Sequence, residues 1–318
     1  MDKSITHPNA ANTRAKRSSS TVWKNLKRSW QLYLLILPAV AAVFIFNYIP
    51  MYGVQIAFKD FRSSLGIWGS EWVGLKHFIR FLTFPDFWNI LKNTISISLY
   101  SLATFPCAVI LALLINEISN VAFKKTVQMI TYAPHFISTV VVCSMIILFT
   151  NRSNGLFNNI RAAMGAERVD FMTIPGLFSS IYVWSGVWQG VGWGTIIYLV
   201  TLAGISPELH EAARIDGASR FQIIWHINVP GILPTVITML ILNTGSLLSV
   251  GFEKIFLLQN SLNLSASRVI STYVYEIGIQ GGQFSYSAAI GLFNNVVNIL
   301  FIATVNQISK KVTQISLW

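Results

Sequence analysis

Apolar runs close to the thickness of a lipid bilayer recur along this chain, and they limit its folds more than any other feature. Six of them fall roughly at 32–58, 89–116, 126–149, 176–203, 227–252 and 286–308. About 20 apolar residues cross the hydrocarbon core as a helix, and a backbone in lipid must satisfy its own hydrogen bonds. The chain is therefore read as an all-α polytopic membrane protein with about six transmembrane helices. Only 11% of its residues are charged and its mean hydropathy is +0.56, where soluble domains carry roughly a quarter charged. Pro38, Pro50, Pro106 and Pro134 stand in these runs and are expected to kink or end helices.

Six spans put both termini on one side. That side would carry 13 basic residues against five acids. They are Lys3, Arg14, Lys16, Arg17, Lys24, Lys27 and Arg28 in the N-terminal tail, then Lys124, Lys125, Arg214, Arg220, Lys310 and Lys311. The other side holds 10 basic residues and 7 acids. An excess of Lys and Arg marks cytoplasmic loops, so both tails are predicted in the cytoplasm. The net charge of +11 is spread over loops and tails without an aromatic-interleaved basic stripe, which argues against nucleic acid as a partner. Residues 1–20 are predicted to be disordered from their polar composition. The first apolar run, preceded by about thirty polar residues, reads as an uncleaved span rather than a signal peptide. Cys107 and Cys143 lie inside apolar runs and read as small buried hydrophobes, with no disulfide framework or metal site.

After the first run comes "GSEWVGLKHFIRFLTFPDFWNILKNT". Trp68, Trp72, Phe78, Phe81, Phe84, Phe87 and Trp88 suit either a short helix lying in the membrane interface or an ordinary aromatic belt.

A polar stretch, "EAARIDGASRFQIIWHINVP", separates the fourth and fifth runs. Ser206 can cap a helix that starts at Pro207, with Glu208 complementing its N-terminus. Gly217 is a natural residue for a left-handed C-terminal cap. Ser219 can cap a second helix, and Pro230 is expected to break or kink it. Local chemistry leaves open a docking element or a mere connecting loop. The histidine of "HEAAR" is no zinc motif, because Arg214 stands where H-E-x-x-H needs its second histidine. None of the twelve lysines follows a glycine, so the Walker A sequence G-K-[ST] is missing, and no catalytic constellation is apparent.

Glu211-Ala212-Ala213, Gly217 and Ile227-Asn228-Val229-Pro230 resemble the EAA loop, E-A-A-x3-G-x9-I-x-L-P, of permease subunits in type I binding-protein-dependent ABC importers. Val229 replaces the usual leucine. "WVGLKHF" with "PDFWNILKNT", and 271–298 with the terminal "SLW", are similar to the carbohydrate-uptake branch that imports oligosaccharides. The resemblance implies a permease core at 89–309 with its coupling loop at 206–230. It would be preceded by a tail at 1–30 and a first span with an external segment at 31–88, and followed by a tail at 310–318. It implies that Glu211, Ala212, Ala213 and Gly217 dock on a separate ATPase, with Arg214 and Asp216 as polar neighbours. It also implies a homologous second permease, two ATPase subunits that bind ATP and Mg, a solute-binding protein, and the bacterial cytoplasmic membrane. This chain itself would be no enzyme and would hold no cofactor.

Along the fourth run, Gly186, Gly190 and Gly194 recur every four residues and define a small face for close helix packing. Trp184, Trp188, Gln189 and Trp193 share that run, Asn243, Thr244, Ser246 and Ser249 the fifth, and Asn294, Asn295 and Asn298 the sixth. Amides in hydrocarbon need a partner or a wet cavity, and sugars offer C–H faces to aromatic rings and hydroxyls to amides. Trp184, Trp188, Gln189, Trp193, Asn243, Ser246 and Asn294 are therefore expected to line the substrate path, with interhelical hydrogen bonding as the alternative for each. Glu253 and Glu276 are expected at outer span edges or in the loop. An amino acid or phosphate as the imported solute is compatible with the shared EAA loop but disfavoured by the carbohydrate-type segments. An ion-coupled secondary transporter is disfavoured, because the span interiors hold almost no charge.

Overall fold

The computed structural model describes residues 28–245, 248 and 250–313. The tail at 1–27, Ser246 and Ser249 lie outside the described residues. The chain divides into two compact units at Val54 and Gln55.

In the first unit, helix α1 (Trp30–Val43) has no buried residue. A π-helical turn, Phe44–Tyr48, follows it and ends two residues before Pro50. Proline lacks the N–H that closes an α-helical turn, and its ring crowds the carbonyl four residues earlier. A widened turn ahead of it relieves both problems without ending the helix.

Among its described residues the second unit is mainly helical, and its strands form one short ribbon, Lys59–Asp60 (β1) paired antiparallel with Glu71–Trp72 (β2). Its main helices are α2 (Lys76–Leu82), α3 (Phe87–Ala103), α4 (Pro106–Asn116), α5 (Val121–Tyr132), α6 (Thr139–Thr150) and α7 (Leu156–Ala163). They continue as α8 (Pro175–Ala203), α9 (Pro207–Ile215), α10 (Arg220–Ile223), α11 (Val229–Thr244), α12 (Phe252–Leu258), α13 (Ile270–Tyr275) and α14 (Phe284–Thr313). Among the described residues, four helical segments are long and apolar enough to cross a membrane: Trp30–Phe58, Phe87–Asn116, Arg220–Thr244 and Phe284–Lys311. Two bent pairs bring the number of candidates to six.

Two expectations need correction, and one agrees: at Pro134, where a kink or helix end is expected, Val121–Phe136 meets Thr139–Thr150 at 98°. Pro134 sits in a 3-10 turn, Ala133–Phe136, after which Ile137 is extended, and Ser138 caps α6 by accepting from Val141 N–H at 3.4 Å. The fifth span begins at Arg220, because α10 runs through a second π turn (Ile224–Asn228) into α11, and it stops at Thr244 rather than near residue 252. Pro230 therefore leaves the helix unbroken, again two residues beyond a π turn. Finally, the aromatic segment after the first run is more than an interfacial helix. Phe81 and Phe87 are buried with Ile90, Ile270, Tyr273, Tyr286 and Ile290 in one core cluster, while Trp68, Trp72 and Trp88 are exposed.

Two more clusters continue the core. One joins Ile97, Cys143, Phe178, Val250, Ile255, Leu258 and Val269, and the other Ala112, Tyr198, Leu202 and Ile232. Every cluster contains α3 or α4 residues, so these two helices run along much of the packed interior.

Candidate functional site

The polar stretch between α8 and α11 folds from its caps. Ser206 Oγ accepts from Glu208 N–H at 3.3 Å, with Pro207 in the first turn. At the other end, Ala218 N–H donates to Ala213 O at 2.9 Å and Gly217 N–H to Arg214 O at 3.1 Å. This is the paired bonding of a Schellman cap, and Gly217 supplies its left-handed residue at φ +75°. Ser219 and Gln222 then form a reciprocal capping box, with Ser219 N–H donating to Gln222 Oε1 at 2.7 Å. Both helix ends at the turn are thus satisfied, and the second helix is continuous with a candidate span.

Helix α9 has no buried residue. Glu211, Ala212, Arg214, Asp216 and Gly217 are exposed and Ala213 is half-buried. Ile215 is 86% exposed, an apolar side chain left open beside them. On the inward side, His210 Nε2 lies 2.8 Å from Asn228 Oδ1, and Asn228 Nδ2 donates to Glu117 Oε1 at 3.4 Å. The histidine of "HEAAR" thus joins α9 to the π turn and to the end of α4.

A cavity of about 860 Å³ opens among α3, α4, α8, α11 and the start of α12. Gln189, Trp193 and Asn243, all expected on the substrate path, line it. Gln189 Nε2 also donates to Ile137 O at 2.9 Å, so this amide satisfies a carbonyl at the bend between α5 and α6. Trp193 stacks on His135 with centroids 4.5 Å apart. Neither this cavity nor a smaller one beside the bend includes Trp184, Trp188 or Asn294 in its lining. Trp184 Nε1 donates to Tyr100 OH at 2.8 Å, Trp188 is 46% exposed, and Asn294 lies on α14 with its Oδ1 buried and unpartnered among the described residues. Ser246 lies outside the described residues.

The glycines of α8 divide the labour differently from the four-residue repeat. Gly186 and Gly194 line the large cavity, and a Cβ on Gly190 would meet nothing within 4 Å. The tight contact is at Gly192, where a Cβ would collide with the Thr131 carbonyl.

Sequence reasoning missed the cavity's one charged lining residue. Lys254, on α12 outside the candidate spans, is only 8% exposed. Its ammonium donates to Tyr182 O at 3.1 Å and sits 5.2 Å from the centroid of the Tyr182 ring. Burial pushes the ammonium down to about 8, against the opposing influence of Cys143. The only available signal was a lysine interrupting the apolar sequence from Val250 to Leu258. Its neighbour Glu253 is exposed, and Glu276 pairs with Arg268 at 2.6 Å.

Comparison with known proteins agrees with this architecture. Residues 89–314 match the model of a family described as the binding-protein-dependent transport system inner membrane component. Protein LplB of Bacillus subtilis (strain 168) is 44% identical over 91% of each chain. The polygalacturonan/rhamnogalacturonan transport system permease protein YteP, from the same strain, is 43% identical over 88% of each. Among solved structures, a chain of a bacterial alginate ABC transporter in complex with an alginate pentasaccharide-bound periplasmic protein superposes with a TM-score of 0.85. It is 38% identical, with 93% of this chain and 99% of that one covered. An exposed capped helix leading into a span, a cavity among membrane-length helices and a family match across most of the length lead to one assignment: the chain belongs to the binding-protein-dependent transport system inner membrane components.

Proposed function

We propose that this chain is a permease subunit of an ATP-driven importer of oligosaccharides, and that α9 is the lever a separate ATPase grips. The observation that carries the reading is the doubly capped α9, turned at Gly217 into a helix continuous with the fifth span. A helix without buried residues transmits force only if its ends are fixed, and here both are. Glu211, Ala212, Ala213 and Gly217 form the docking face, with Arg214 and Asp216 at its rim. The missing Walker sequence assigns ATP and Mg to the partner ATPase subunits.

A carbohydrate cargo is supported by the names of the relatives and by the cavity's mixture of an aromatic ring, amides and hydroxyls. A homologous second permease completes the pathway, and a solute-binding protein delivers the sugar on the face opposite α9. ATP binding closes the ATPases and moves α9, which turns the cavity outward, and hydrolysis resets it. Gln189, Trp193 and Asn243 contact the sugar in transit. Trp184, Trp188, Ser246 and Asn294 extend the path where the second permease closes it. Both termini and α9 face the cytoplasm, residues 89–309 form the permease core, and 1–30, 31–88 and 310–318 are its tail, first span with external segment, and second tail.

The test is uptake of labelled oligosaccharide by proteoliposomes holding both permeases, the ATPases and the solute-binding protein. Uptake is expected to require internal ATP and external binding protein. Transport by this chain alone, driven by an ion gradient, would overturn the reading.

A further inference from the structure

Lys254 is an unusual wall for a sugar cavity. Among the described residues it is the only charged side chain in the lining, and it is nine-tenths buried. An ammonium has three donors, yet its one side-chain hydrogen bond among the described residues goes to Tyr182 O. No carboxylate lies within 4.0 Å of it, since both ion pairs among the described residues belong to Arg268. Burying a cation without a counter-charge costs stability, which makes such a group in a cleft a candidate for function.

The surroundings keep this cation open to the cavity rather than sealing it. Gly186 faces it across the wall, and a Cβ there would sit 3.5 Å from Lys254 Nζ. A longer side chain at 186 would cover the ammonium. Tyr182 fixes it from the other side through its carbonyl and ring, so the charge is held in place before any ligand arrives. The titratable groups around it are the Cys143 thiol, whose Sγ approaches Lys254 O at 3.9 Å, the Tyr182 phenol and exposed Glu253. None of them supplies an anion within salt-bridge distance.

We propose that Lys254 determines specificity in this cavity, selecting oligosaccharides that carry carboxylates, the uronic acid class, over neutral ones. The inference rests on the oligosaccharide-importer reading and adds the charge of the cargo to it. The wall offers groups that match a uronate: the two remaining ammonium donors for its carboxylate, the Gln189 and Asn243 side chains for hydroxyls and the Trp193 ring for a C–H face. A passing carboxylate gains a charge-assisted hydrogen bond that a hydroxymethyl group cannot offer.

The experiment uses the complete importer in proteoliposomes. Initial ATP-driven uptake of a short oligogalacturonate is compared with that of its carboxyl-reduced, neutral counterpart, each at saturating loaded binding protein. The wild type is expected to carry the acidic sugar faster. Lys254→Gln, which removes the charge but keeps an N–H donor, should lower acidic uptake roughly ten- to hundred-fold more than it lowers neutral uptake. Lys254→Arg should retain the preference. ATPase stimulation by loaded binding protein should persist in Lys254→Gln, which a merely structural loss would abolish. Equal uptake of both sugars by the wild type, a comparison that needs no variant, would overturn the proposal while leaving the importer reading intact. So would undiminished acidic uptake by Lys254→Gln. Failure of the wild type to carry any carbohydrate with ATP would overturn the importer reading, and this inference with it.

Discussion

His210 Nε2 and Asn228 Oδ1 lie 2.8 Å apart, and the Glu117 carboxylate fixes which way that bond runs. An ionised carboxylate only accepts, so the Asn228 amide must turn its Nδ2 toward Glu117 and its Oδ1 toward His210. The imidazole then donates from Nε2. Asn228 is 1% exposed, so either broken contact leaves a buried polar group unpaired. A double-mutant cycle on His210→Ala and Asn228→Ala should return a coupling of ~0.5–1.5 kcal/mol, read from thermal unfolding of the detergent-solubilised complex. The single variants should also transport less sugar per ATP hydrolysed, since α9 is then less firmly tied to α4. Additive effects would remove this tie from the lever.

Gly217 tests the lever at its turn. Its constraint is conformational: φ is +75° and a Cβ would meet nothing within 4 Å. Gly217→Val should strain the backbone by ~1–3 kcal/mol, whereas Gly217→Asn, which tolerates the left-handed region, should be milder. The expected signature is ATP hydrolysis that continues while uptake falls, with membrane insertion unchanged. Normal uptake by Gly217→Val would sink the coupling assignment.

The parts of the fold that were legible in the sequence are those decided locally. Ser206, Gly217 and Ser219 announce α9 and its turn because capping is a matter of neighbours along the chain. The apolar runs announce the spans because lipid demands length and hydrophobicity whatever packs beside them. Pro134 announces a kink or helix end in the third run, but neither its 98° angle nor what supports it. What makes it tolerable is Gln189, 52 residues away in sequence, offering its amide to the exposed carbonyl. Lys254 escaped for the same reason, since only the packing of α12 on α8 turns it into a cavity wall. The tryptophans show the converse limit: Trp184, Trp188 and Trp193 look alike in sequence, yet only Trp193 reaches the cavity.

Gly190 and Gly192 separate helix propensity from helix contact within one turn of α8. Gly192→Ala drives a methyl into the Thr131 backbone and should destabilise by ~1–3 kcal/mol through overpacking. Gly190→Ala meets open space and should be neutral or stabilising by up to about 1 kcal/mol, because alanine favours the helix. Melting of the two solubilised variants side by side checks the contrast. Equal melting temperatures would mean that α5 yields at Thr131.

Arg268 gathers three elements at the opposite end of the bundle from α9. Its Nη2 lies 2.6 Å from Glu276 Oε2 and its Nη1 3.5 Å from Asp86 Oδ2, and its guanidinium sits 5.1 Å from the Tyr273 ring centroid. The Arg268 side chain is 17% exposed, but the two acids are 49% and 54% exposed, so solvent screens each pair. Glu276→Gln should therefore cost no more than ~1 kcal/mol, and the longer contact with Asp86 makes Asp86→Asn smaller still. Arg268→Gln should cost more than either, because it also removes packing and a cation from the face of Tyr273. Thermal melting should show the largest loss for Arg268→Gln, then Glu276→Gln, then Asp86→Asn, and raising the salt concentration should shrink the Glu276→Gln effect before it shrinks that of Arg268→Gln. If all three variants melted alike, surface charge rather than the seated guanidinium would be holding α13 against the start of α3.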